Sequence, residues 1–184
     1  HGSIPNDIAE VNQSEVLSFM GRIADIPAGE RTGNLPADRA MRTIMFTDLV
    51  GYTSMMGRLG DDRAFKILNE YNTVIRDSLT RFAGREVKHT GDGVMASFDL
   101  ADQALRAAVE IRDGVADISV PDIDETLSIR IGMTSGEPLQ EGEDLFGSVV
   151  NLASRLCDLA ETNEILLSDH CRSELNDPGF PLTS

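Results

Sequence analysis

An α+β fold of the split βαβ type, with helices packed on a mixed, mostly antiparallel sheet, is predicted by three features of the 184-residue chain. From about residue 40 the apolar pattern runs strand, helices, hairpin, helix, strand. A hydrophobic content of 41% is enough to fill one core, and Leu127, Ile129, Ile131 and Met133 alternate with polar residues as a half-buried strand does. A right-handed crossover then leaves room for an antiparallel strand between two parallel ones.

The elements follow in order. Residues 14–22 read as one short helix, capped by Ser14, with Val16, Leu17 and Met20 on one side. Between Asp25 and Arg39 the punctuation by Pro27, Gly29, Gly33 and Pro36 reads as a linker, which puts the domain boundary near Ala40. His1-Gly2-Ser3 stands where an initiator Met belongs and reads as a tag remnant. Residues 1–39 are therefore expected to be the tail of an upstream region, through which the protein could be tethered elsewhere. Arg42 to Phe46 is a compact apolar run that ends at Asp48 and the turn-forming Gly51, as a buried strand does. Phe65, Leu68, Tyr71, Ile75, Leu79 and Phe82 recur at helical steps between Asp61 and Phe82, with Gly84 at the C-terminal cap. Glu86–Thr90 and Val94–Phe98 form a hairpin around Gly91-Asp92-Gly93. Further helices are expected at 101–112 and 148–159, a short strand at 165–167, and a last helix from the cap Ser168 through Leu175.

Charge narrows the function. Sixteen Lys and Arg against thirty-one Asp and Glu leave a formal charge of −15, a field that repels nucleic acid and anionic lipid. A phosphorylated small substrate would need cations or a locally basic site. Two cysteines, Cys157 and Cys171, make neither a zinc motif nor a disulfide scaffold, so a reducing, cytoplasmic setting is expected. No apolar run approaches the length of a membrane span.

If the second hairpin strand lies antiparallel beside the first strand, the hairpin turn meets that strand's C-terminal end, and Asp48 and Asp92 become neighbours. Singly, each reads as a cap or turn residue. As a close pair they repel unless a cation bridges them, and hard oxygen ligands suit Mg²⁺ or Mn²⁺. Leu49, Val50, Gly51, Tyr52 and Thr53, where strand turns into helix, are placed to aim backbone N–H groups at a phosphate.

Phe46-Thr47-Asp48-Leu49-Val50-Gly51-Tyr52-Thr53, Lys88-His89-Thr90-Gly91-Asp92-Gly93 and the segment Asp144 to Arg155 resemble, in order, the three signature segments of class III nucleotidyl cyclases, over about Met41 to Leu175. The fold this implies is the ferredoxin-like, palm-type form of the split βαβ sandwich. By the resemblance, Asp48 and Asp92 bind two divalent ions per active site. Lys88 and Asp144 read adenine, which points to an adenylyl cyclase forming 3′,5′-cyclic AMP and pyrophosphate from ATP; members that use GTP typically carry Glu and Cys there. Asn151 and Arg155, four apart and so on one helical face, act on the transition state. In the family two domains pair head to tail, so a homodimer with two composite sites is expected, and an inactive monomer. Residues 40–184 are then the catalytic domain, without the final strand pair whose basic residue contacts the triphosphate, either truncated or unordered.

The alternatives are a guanylyl cyclase and a catalytically weak or inactive nucleotide-binding regulatory domain, whose usual signature is loss of a metal Asp or of the Asn and Arg pair. A related palm enzyme such as a diguanylate cyclase would need a Gly-Gly-Asp/Glu-Glu-Phe hairpin that is not in this chain. His89 reads as structural, the methionines as core or interface filler, Cys157 as a core or dimer-seam residue and Cys171 as a bystander. The acidic stretch Ser135 to Glu143 receives no catalytic role.

Overall fold

The structure, a computed structural model, describes residues 40–89, 91–120, 126–176 and 182. The expected helix at 14–22, the linker before Ala40 and Thr90 lie outside these residues.

The described chain runs β1 (Arg42–Leu49), α1 (Tyr52–Leu59), α2 (Asp61–Arg81), β2 (Arg85–His89), β3 (Gly93–Phe98), α3 (Ala101–Ala116), β4 (Ile129–Gly136), β5 (Leu139–Glu141), β6 (Asp144–Phe146), α4 (Ser148–Leu159), β7 (Ile165–Leu167) and α5 (Asp169–Ser173). Five strands make one sheet in the order β2-β3-β1-β4-β7, and β5 with β6 forms a separate two-stranded ribbon. β1 is antiparallel to both β3 and β4, and among the described strands only β4 and β7 pair in parallel. The unit β3-α3-β4 therefore straddles β1, which is the split βαβ arrangement expected from the element order.

Strand alternation divides β1 between two layers. Met45 and Leu49 enter the large core under α1, α2 and α3, with Tyr71, Ile75, Phe98, Ile111, Ile131 and Met133. Ile44 joins a smaller cluster on the opposite face with Met95, Leu145, Val149 and Ala153, which α4 and β6 help to cover. α4 packs so close to the sheet that a Cβ on Gly132 would lie 2.1 Å from the backbone N of Cys157.

A polar bridge ties helix to sheet inside the large core. The Tyr71 hydroxyl and Thr47 Oγ1 are 3.1 Å apart, and Thr47 Oγ1 accepts from the backbone N of Val94 at 3.1 Å. Tyr71 is fully buried, and that burial raises its hydroxyl pKa above the usual value. Replacing Tyr71 by Phe keeps the ring and deletes the bridge to Thr47, so urea unfolding should show a loss of about 1 kcal/mol. An unchanged midpoint would mean that the bridge contributes nothing.

Three departures from the sequence reading have local causes. α2 closes with Ala83 in the left-handed conformation at φ 54°, and Gly84 comes one residue later, its N–H bonding Leu79 O at 2.8 Å. Gly84 is required for space, since a Cβ there would meet the Phe98 ring at 2.4 Å. α3 runs to Ala116, one turn beyond the expected 112, because Val115 is still fully buried. The last helix ends at Ser173 rather than Leu175, although Ser168 does cap it by accepting from the Cys171 N–H at 3.1 Å.

Candidate active site

The C-terminal end of β1 builds one half of the site. Asp48 pairs in register with Gly93 and Arg130, and the Leu49 N–H bonds the Asp92 carbonyl at 3.3 Å. The hairpin turn is thereby pinned beside the strand end, and Asp48 and Asp92 line one cavity of about 700 Å³. Leu49, Val50, Gly51, Tyr52 and Thr53 line the same cavity, with Arg130, Ala160, Glu161 and Thr162. Gly51 adopts φ 73° at the start of α1, and among the described residues no side chain caps that helix. Its first-turn N–H groups are thus available to an anion in the cavity. The Tyr52 hydroxyl is raised above its ordinary pKa, first by burial and then by the charges of Asp92 and Asp61.

Lys88 and Asp144 come together on the other hairpin arm. A bulge between Glu86 and Lys88 shifts the β2–β3 register so that Lys88 stands opposite Met95. Lys88 Nζ donates to Asp144 Oδ2 at 2.5 Å and lies 5.7 Å from the centroid of the Phe146 ring. The hydrogen bond from Lys88 holds the Asp144 carboxyl below its usual pKa, and the Leu145 N–H, donating to Asp144 Oδ1 at 2.9 Å, adds to the effect.

Asn151 and Arg155 are both exposed on α4, while Val149, Ala153 and Cys157 of the same helix are buried. The helix therefore points Asn151 and Arg155 away from its own sheet. Neither they nor Lys88 and Asp144 are among the residues lining the cavity of Asp48 and Asp92. The eleven expected site residues thus separate into a cavity group of seven and a second group, Lys88, Asp144, Asn151 and Arg155, outside it.

The family profile described as adenylate and guanylate cyclase catalytic domain matches residues 38–184. The chain belongs to this family. A putative adenylate cyclase of Rhizobium meliloti is 30% identical over 152 residues, 77% of this chain and 26% of that protein. An adenylate cyclase of Streptomyces griseus is 31% identical over 139 residues, 75% of this chain and 33% of that protein. Among solved structures, an adenylate/guanylate cyclase/hydrolase from Silicibacter pomeroyi is 32% identical with a TM-score of 0.64, covering 77% of this chain and 82% of that one. The cyclase domain spans about a third or less of the length of these curated relatives.

Two residues that contact the candidate site residues were not singled out in the sequence. Arg130 Nη2 pairs with Asp48 Oδ2, and that hydrogen bond raises the guanidinium pKa. Arg130 occupies a polar position of the alternating strand 127–133, and only the β1–β4 register shows that it faces Asp48. Phe146 flanks Lys88 as described, and its one signal was its place two residues after Asp144. Cys157, buried on α4, donates from Sγ to the Arg130 carbonyl at 3.4 Å, and burial pushes its thiol pKa up to about 12. That thiol is inert at neutral pH.

Cyclases of this family use divalent metals. Among the described residues no group of three or more His, Cys, Asp or Glu is placed to hold a metal ion. Two carboxylates on one cavity nevertheless fit Mg²⁺ or Mn²⁺, which bind through one or two carboxylates and take their remaining ligands from water and phosphate.

Proposed function

We propose that this cyclase domain converts ATP to 3′,5′-cyclic AMP and pyrophosphate at a site shared between two copies of the chain. The observation that carries the choice of ATP is the Lys88–Asp144 pair at 2.5 Å. An ammonium can donate to an adenine ring nitrogen and a carboxylate can accept from the exocyclic amine, whereas guanine presents the reverse pattern. Phe146 and the bulge of β2 hold Lys88 ready for that reading.

The direction of the side chains supports pairing of two copies. Asp48 and Asp92 line the chain's own cavity, while Asn151 and Arg155 face outward from α4. A second copy related by a twofold axis brings its outward group over the first copy's cavity and completes two sites at once. The N–H groups of residues 51–53 receive the phosphates, Asn151 orients the ribose, and Arg155 stabilises charge on the α-phosphorus as the 3′-oxygen attacks and pyrophosphate leaves. Asp48 and Asp92 would hold the divalent ions, Mg²⁺ or Mn²⁺ and two per site, which when bound neutralise the triphosphate and favour loss of the 3′-hydroxyl proton.

The test is product formation from ATP and GTP, with Mg²⁺ or Mn²⁺, over a range of protein concentrations. Cyclic AMP should dominate, and activity per chain should climb steeply near the dimer's dissociation constant. A preference for GTP overturns the base assignment. Specific activity independent of concentration in a verified monomer overturns the shared site.

A further inference from the structure

We infer that Arg130 is a resident counter-ion of Asp48 that a divalent cation must displace, so that this one guanidinium sets how tightly the domain takes up free metal. The inference rests on the reading of Asp48 and Asp92 as the metal carboxylates. Arg130 stands directly opposite Asp48 in the β1–β4 ladder, and its Nη2 pairs with Asp48 Oδ2. The same guanidinium lines the cavity into which Asp92 also faces. It brings a positive charge to a place where two carboxylates would otherwise repel each other.

The remaining contacts of Arg130 hold it loosely. Nη1 reaches the Asp158 carbonyl only at 3.4 Å, and Nε is buried with no hydrogen-bond partner among the described residues. A guanidinium offers five donors in a rigid fork, and a site built to lock it would satisfy more of them. Asp48 is therefore its principal anchor. Guanidinium and metal ion compete for the same carboxylate oxygens, so cation uptake releases Arg130 from Asp48 and stalls wherever that release is opposed.

The experiment measures Mn²⁺ binding to the full chain without nucleotide, by the loss of the free-ion paramagnetic resonance signal. Wild type, Arg130→Gln, Arg130→Lys and Asp48→Ala are compared. With its competitor removed, Arg130→Gln should bind Mn²⁺ about tenfold more tightly than wild type, the scale of one nearby charge in a partly exposed site. Arg130→Lys, which keeps the charge, should restore weak binding. Equal affinity in wild type and Arg130→Gln, with Asp48→Ala still weakening binding, overturns the counter-ion and leaves the metal site standing. Absence of Mn²⁺ binding in both wild type and Arg130→Gln overturns the two together. Should Arg130→Gln fail to fold, the wild-type chain decides through the Nε–H resonance of Arg130. That resonance should move on titration with Mg²⁺ while that of Arg42, paired with Asp99 at the far end of β1, stays in place. An unmoved Arg130 resonance in a chain that binds Mg²⁺ overturns the inference.

Discussion

Asp92→Ala is expected to lower cyclic nucleotide formation by about 10³-fold, the scale seen when a charge-stabilising group is removed from an active site. The fold should survive, because the contact that seats the hairpin turn is made by the backbone: the Leu49 N–H bonds the Asp92 carbonyl, which alanine retains. Asp92 is only partly buried, and alanine adds no bulk in a turn whose neighbour Gly91 already provides the left-handed conformation. Asp48→Ala is the less clean probe. It removes the partner of Arg130 and leaves a half-buried guanidinium unpaired, so lost activity there mixes chemistry with local rearrangement. Product formation and circular dichroism on Asp92→Ala separate the two causes. A variant that retains wild-type turnover removes Asp92 from the chemistry, and a variant that unfolds shows that the turn depends on the carboxylate itself.

What was legible in the sequence had strong period or strong punctuation. The helix 148–159 and the strand 165–167 were expected at their observed bounds, because Val149, Ala153 and Cys157 recur on one face and Ile165-Leu166-Leu167 is a bounded apolar run. The placing of Asp92 beside the end of β1 was also readable, since a short hairpin leaves its turn nowhere else to go once β3 lies against β1. The β5–β6 ribbon was not. Its strands are three residues each, β5 is wholly exposed, and the acidic residues around it give no apolar alternation. Its one signal was Gly142 at φ 62°, between Glu141 and Glu143. The bulge that turns Lys88 toward Asp144 and the register that sets Arg130 against Asp48 are properties of strand pairs, which one strand's pattern does not contain. The left-handed Ala83 was hidden for a similar reason, because nothing in an alanine announces a positive φ.

Gly132→Ala is expected to destabilise the chain by about 3 kcal/mol, as an overpacked site with no room to relax does. The added Cβ would stand 2.1 Å from the Cys157 N, 2.5 Å from the Ala153 O and 2.6 Å from the Leu156 C. All three are backbone atoms of α4, so no rotamer change relieves the overlap and the helix itself must lift from the sheet. Lifting it opens the cluster of Ile44, Met95, Leu145, Val149 and Ala153. It also carries Asn151 and Arg155 with it, and a displacement of about 1 Å at reacting groups lowers turnover by about 10²-fold. Gly57→Ala is the control. Gly57 lies within α1 with nothing within 4 Å of an added Cβ, so there alanine should stabilise by about 0.5–1 kcal/mol through helix propensity alone. Urea unfolding of the two variants, with turnover measured on the folded fraction, reads stability and positioning separately. Wild-type stability in Gly132→Ala would mean that α4 does not rest on β4 at this point, and the placement of Asn151 and Arg155 would then lose its support.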